Sequence, residues 1–253
     1  KQIIILVNYL IASLFSGILY IMTKPKIQDP LQIGLSISLG IISGGIYYGG
    51  MILYQKNLEM YGVGQSTVFL KLGMVFTIIL SMVFFGEIPT LLKWFGLGLA
   101  ILSIIWFNEG FQHFHSVSFL LLLQLGLGGT GSFVNKSVEQ WVIPEYSGLY
   151  LLTVFLIAFS CSFIAYLRES PHPQFTPKNI IIGAAVGVPN MLTSLFLLLS
   201  LAEYPTYVVF PVYNVSTIIL ASVFSAWLFQ ETIKKTNLPA YGIAVVALVF
   251  MTF

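Results

Sequence analysis

The sequence predicts an all-helical integral membrane protein built from an inverted 5+5 helix repeat, and three observations predict it. Hydrophobic residues make up 57% of the 253-residue chain and charged residues only 8%, with a mean hydropathy of +0.93. A water-soluble globule needs about 25% charge to clothe its surface, so the solvent here is largely lipid. Apolar runs long enough to cross a bilayer then recur along the whole chain. Last, one phrase is written twice: "FFGEIPTLLKWFGLGLAIL" around Glu87 and "LFQETIKKTNLPAYGIAVVAL" around Glu231.

A spanning helix needs about 20 mostly apolar residues at 1.5 Å rise each. Nine runs qualify, at 3–22, 33–54, 65–85, 90–107, 117–134 (extendable to 141), 147–167, 179–202, 206–229 and 238–253. Barrel strands would alternate apolar and polar residues over about 10 positions; these runs are continuous and about twice as long. The longest joint, "RESPHPQFTPK", has three prolines and no room for a soluble domain. The first run is too long for a cleaved leader, and no small-residue cleavage site follows it. Gly40, Gly44, Gly45 and Gly49, Gly96 and Gly98, Gly126, Gly128, Gly129 and Gly131, and Gly183 and Gly187 are expected to let helix backbones approach closely, since lipid gives no hydrophobic drive for helix association.

The repeat rests on spacing. Glu59 and Glu87 lie 28 residues apart, as do Glu203 and Glu231, and one offset of 144 maps the first pair on the second. The same offset superposes the second, third and fourth runs on the seventh, eighth and ninth. Identity under it is slight, so the shared order of spans and charged joints carries the repeat. Repeat one covers 1–107 and repeat two 114–253, within a single transmembrane domain. The fifth run has no counterpart in the first repeat. A helix is therefore expected before Lys1, and the short ninth run suggests a trimmed end. An odd number of spans per repeat makes the second copy enter the membrane upside down, as in many secondary transporters.

The "GE-x8-G" and "QE-x10-G" junctions, the run "SLAEYPTYVVFPVYN" and the 5+5 layout resemble the drug/metabolite transporter superfamily in its EamA-like branch of bacterial permeases. The resemblance covers nearly the whole chain. It implies ten helices, alternating access and location as a multi-pass protein in the cell (plasma or inner) membrane of a bacterium. It also implies a central cavity lined mainly by the second, third, seventh and eighth runs with the first helix of each repeat.

Polar groups at membrane depth are the candidate solute-binding residues. Lys71 falls about 10 Å inside the third run, and an ionisable residue at that depth marks a site by default. It would pair a solute carboxylate or phosphate, or release a proton during transport; the plain alternative is a stem that snorkels to the interface. In "FPVYN", Pro211 frees the carbonyl of Tyr207, and Tyr213 and Asn214 follow at the level of Lys71 under the offset. "VPN" repeats the device with Pro189, the carbonyl of Ala185 and Asn190. Tyr47 and Tyr48 lie at the matching level of the second run. Together these give a neutral-polar, aromatic cavity with one cation; the alternatives are packing aromatics and asparagines bonded between helices.

Glu87 and Glu231, the latter near Lys234 and Lys235, read as end caps or gate pairs rather than solute ligands. Lys136 and Glu139, three residues apart, are expected to pair. "HFH" at His113–His115 lacks further ligands, so no metal is expected, and no cofactor. The single cysteine, Cys161, reads as a small buried hydrophobe.

The net charge of +2 is too small and scattered for nucleic acid. The expected partners are a small-molecule solute and the lipid bilayer, with proton or exchange coupling and a homodimer left open. Orientation is also open. Lys1, Lys56, Arg168, Lys178, Lys234 and Lys235 share one side, which the positive-inside rule makes cytoplasmic; the resemblance favours the side of Lys24, Lys26, Lys93 and Lys136. No HExxH or GxSxG occurs, so common zinc and serine enzyme signatures are missing, and no enzyme activity is expected. The rival function is a membrane-embedded enzyme or a lipid-handling protein without solute transport.

Overall fold

The structure is a computed structural model, and it describes residues 2–23, 29–107, 118–170, 173–229 and 238–252. Among these the chain is helical, with no strand. The helices are α1 (Gln2–Thr23), α2 (Pro30–Val63), α3 (Gln65–Phe85), α4 (Leu91–Phe107), α5 (Phe119–Trp141), α6 (Ser147–Arg168), α7 (Pro177–Glu203), α8 (Thr206–Phe229) and α9 (Leu238–Thr252). A 3₁₀ turn, Pro144–Tyr146, leads into α6.

Among the described residues, six helices are both long and apolar enough to cross a membrane: α1, α2, α3, α6, α7 and α8. The helices α4 and α9 are apolar but short, at 17 and 15 residues. α5 is long enough but more polar. Several of its polar side chains turn inward: Gln124, Asn135 and Lys136 are all buried.

α2 runs nine residues beyond the predicted end at Tyr54. "QKNLEMY" is polar but made mostly of good helix formers, and the helix continues until Gly62 takes a left-handed φ of 78°. Only glycine adopts that conformation without steric cost. The chain reverses there without a loop, so that the hydroxyls of Tyr54 and Thr67 meet at 3.2 Å.

The chain divides into two compact units, residues 1–52 with 134–202 and residues 53–133 with 203–253. The first unit holds α1, most of α2, the end of α5, α6 and α7. Its core lies along α6, where Tyr150, Leu151, Val154, Phe155 and Ala158 pack against Ile5, Tyr9 and Ala12 of α1 and Met191 and Leu198 of α7. α1 and α6 run antiparallel: Gln2 at one end bonds the carbonyl of Ser162, while at the other Gly148 lies against Tyr20 and Thr23.

Two glycine contacts in this unit mirror each other. On α2, a Cβ at Gly40 would lie 2.6 Å from Thr153, and one at Gly44 would lie 2.6 Å from the carbonyl oxygen of Val154. On α7, a Cβ at Gly183 would lie 2.7 Å from Val7, and one at Gly187 would lie 2.7 Å from the carbonyl oxygen of Asn8. The further neighbours correspond as well: Tyr150 and Ile157 for the first pair, Ile4 and Ile11 for the second. Gly40 and Gly44 stand 143 residues before Gly183 and Gly187, and Ile4, Val7, Asn8 and Ile11 stand 146 before Tyr150, Thr153, Val154 and Ile157. So α2 packs on α6 as α7 packs on α1.

The second unit holds the end of α2, α3, α4, the start of α5, α8 and α9. Its repeat-related helices also run antiparallel. In the α4–α9 pair, Lys93 near the start of α4 donates to the carbonyl of Met251 near the end of α9 at 2.5 Å, and Gly96 fits against Phe250. In the α3–α8 pair, the N–H of Thr206, first in α8, donates to a carboxylate oxygen of Glu87, just past the end of α3, at 2.8 Å. α5 covers another face of α3 through Gly73 and Gly129, whose backbones nearly touch, and Thr77 donates to the carbonyl of Gly129. Inversion of the two repeats is thus visible inside each unit.

Candidate solute-binding site

Each unit carries its own polar group within its helices. In the first, Asn190 of α7 donates to the side-chain oxygen of Asn8 on α1 at 3.2 Å. One turn on, Ser194 meets the Tyr47 hydroxyl of α2 at 3.1 Å and donates to the carbonyl of Asn190. Tyr9 donates to the carbonyl of Tyr47 at 3.2 Å, and the Tyr47 ring stands edge-on to Phe155. Deeper in, Tyr150 donates to Asn135 at 2.7 Å, so Ser43, also 2.7 Å away, donates to the Tyr150 oxygen. Tyr48 is half-buried beside the core.

The sequence reading named Asn190, Tyr47 and Tyr48 here and missed Asn8, Tyr9, Ser43, Asn135, Tyr150 and Ser194. Asn8 carried a usable signal. "NY" in an apolar run puts an amide and a phenol side by side, as "YN" does at Tyr213 and Asn214. The bonds named in this unit are between neutral groups. Lys136 and Glu139 form an ion pair at 2.5 Å, mostly buried within one turn of α5, as the spacing predicts.

In the second unit, Lys71 is half-buried on α3, and its ammonium donates to the backbone oxygen of Asn214 on α8 at 3.3 Å. The contact holds the side chain against the neighbouring helix α8. Asn214 is buried, 8% exposed, and its amide donates to the sulfur of Met74. Tyr213 is 39% exposed, because adjacent helical residues point about 100° apart. Pro211 is buried inside α8 and Pro189 exposed inside α7; both helices run on through their prolines.

A second polar knot in this unit ties three helices at the α2–α3 turn. Asn57 of α2 donates to the side-chain oxygen of Gln124 on α5 and to the carbonyl of Leu120. Gln124 in turn donates to the carbonyl of Ser66 on α3 at 2.8 Å. Tyr61 donates to Ser118 at 2.7 Å.

Glu87 serves as the expected end cap, but of α8, a distant helix, since the amides at a helix start lack partners of their own. Replacing Glu87 by alanine should cost about 1–2 kcal/mol and lower the melting temperature in detergent, with glutamine retaining much of the effect. Equal melting of the alanine variant and the wild type would show the cap to be idle. Glu59 and Glu203 are exposed near helix ends, and Cys161 is half-buried rather than buried. Glu231, Lys234, Lys235 and His113–His115 lie outside the described residues. Among the described residues, no three His, Cys, Asp or Glu side chains gather in a metal-binding group.

A solved structure described as "Crystal structure of protein" is similar over 100% of this chain and 89% of its own, with a TM-score of 0.79 at 10% sequence identity. That likeness concerns the fold alone. No curated protein sequence matches the chain. The family comparison is more informative. EamA-like proteins are membrane transporters, and the multi-pass helical architecture agrees with that class. Residues 2–108 match the model of the EamA-like transporter family, a branch of the drug/metabolite transporter superfamily, over the stretch that holds the GE-x8-G junction.

Proposed function

We propose that the chain is a secondary-active carrier that moves a small metabolite or drug-like solute by alternating access through a central cavity. The observation supporting this most directly is the antiparallel pairing of α1 with α6, α3 with α8 and α4 with α9. When two repeats of one design are inverted, a conformation open to one side has an equivalent open to the other, reached by exchanging the repeats' conformations. On this reading residues 1–107 and 114–253 are the two repeats of one transmembrane domain in the cell membrane. The candidate solute-binding groups are Asn190, Tyr47 and Tyr48 in the first unit and Lys71, Tyr213 and Asn214 in the second. With no nucleotide-binding motif in the sequence, transport draws on a gradient, by exchange or by protons.

The test is counterflow in proteoliposomes reconstituted with the full-length protein. Vesicles loaded with one unlabelled solute at a time are given a trace of the same solute, radiolabelled, across amino acids, organic acids, organic cations, sugars and nucleosides. The expected result is saturable uptake stimulated by unlabelled solute inside. Uptake that rises linearly with concentration and ignores the internal solute would indicate a channel. No uptake above empty vesicles across the whole series would favour an enzyme or lipid-handling protein.

A further inference from the structure

We propose that the carrier takes solutes bearing an anionic group, a carboxylate or a phosphate, and that Lys71 receives it. This deepens the reading above and rests on it. Lys71 is the seventh residue of α3, which begins at Gln65, so it sits about 10 Å along the helix axis. An ammonium at that depth is costly unless it is paired. Its one bond is to a neutral acceptor, the backbone oxygen of Asn214, at the long distance of 3.3 Å. Among the described residues no carboxylate lies within ion-pair reach of it. A lysine has three donors, so two remain for a ligand.

The surroundings suit an anion. Thr67 lies one helical turn before Lys71, on the same face of α3, and its hydroxyl is already turned to Tyr54 of α2 at 3.2 Å. Whichever of the two accepts in that bond keeps its own proton to donate to an oxyanion. Met74 and the Asn214 amide close the other side at 3.3 Å from each other. The stripe therefore offers one positive charge, one free hydroxyl donor and a soft apolar edge. A cationic solute would meet repulsion with no carboxylate among the described residues in reach to offset it, whereas a carboxylate or phosphate would supply the countercharge.

The experiment measures melting of the purified full-length protein in detergent with acetate, benzoate, inorganic phosphate and phenyl phosphate. Acetamide, benzamide and phenol serve as uncharged counterparts and benzylamine as a cation. At least one anion should raise the melting temperature where its counterpart does not. Lys71→Met should weaken its apparent affinity roughly 10- to 100-fold, since a hydrogen bond to a charged group is lost. Lys71→Arg, which keeps the charge, should retain most of it, and Thr67→Val should weaken it less than Lys71→Met does. Methionine is apolar and unbranched, so the ligand-free variant should melt near the wild type. The proposal is overturned if no anion outperforms its uncharged counterpart, or if Lys71→Met binds the stabilising anion as well as the wild type. Counterflow of the same compounds keeps the two readings apart. Stabilisation by an anion without uptake sinks the carrier and leaves the anion site. Uptake of neutral or cationic solutes alone, unchanged in Lys71→Met, sinks the anion site and leaves the carrier.

Discussion

Alanine at Gly44 or Gly187 should destabilise the protein by roughly 2–3 kcal/mol, and by similar amounts at the two positions. In each case the new Cβ would lie within 2.7 Å of a backbone carbonyl oxygen on the facing helix, Val154 for one and Asn8 for the other. Neither carbonyl can swing aside as a side chain would, so the helices must part, at the cost expected for overpacking. Parting also loosens the close contact that holds helices together in lipid. Gly45 supplies the control, because a Cβ there meets nothing within 4 Å. Gly45→Ala should be neutral or stabilising by up to about 1 kcal/mol through helix propensity alone. Thermal unfolding in detergent compares the three. If Gly44→Ala and Gly45→Ala melt alike, the close approach of α2 to α6 is not needed for stability. If only one of Gly44 and Gly187 is sensitive, the two contacts are not energetic equivalents.

The second large effect concerns Gln124. Its side chain accepts from Asn57 and donates to the carbonyl of Ser66, and all three residues are fully or nearly fully buried. Leucine there removes both bonds and leaves a donor and an acceptor stranded. Each stranded group costs about 1–3 kcal/mol, so Gln124→Leu should lose roughly 2–4 kcal/mol. Asn57 retains its bond to Leu120, which keeps the estimate below the full sum. Asn57→Leu combined with Gln124→Leu should recover part of the loss, because replacing both partners by apolar groups leaves fewer unpaired polar atoms. A double-mutant cycle read by unfolding in detergent tests this. Losses that simply add would mean the two side chains act independently.

Most of the fold was legible because lipid imposes a coarse code. A helix that meets hydrocarbon must be apolar and about 20 residues long, and α1, α3, α6, α7 and α8 obey it. The code weakens where protein replaces lipid as the neighbour. α5 carries Gln124, Asn135 and Lys136 because each faces other helices, and hydropathy alone underrates it. α2 overran its predicted end because the polar residues after Tyr54 pack or face out while remaining helical. The repeat was legible from its joints to within two residues: an offset of 144 was read from the glutamates, while the glycines sit at 143 and the residues they meet at 146. The polar groups were harder. Lys71 and Asn214 stood out as a charge and a proline-flanked amide. Asn57 and Asn135 are single amides in otherwise ordinary stretches, and their importance depends on which side chains other helices bring to them.

The reversal at Gly62 sets a limit on length as well as on chemistry. A surface loop usually absorbs inserted or deleted residues, because nothing downstream depends on its count. Here the chain passes from one long helix to the next through a single left-handed residue. Within a few residues Ser66 must already sit under Gln124, and Thr67 against Tyr54. One residue added between Val63 and Ser66 would turn every later side chain of α3 by about 100°. It would draw Ser66, Thr67 and Lys71 off their partners at once. Over evolutionary time this joint can therefore exchange residues far more readily than it can gain or lose them.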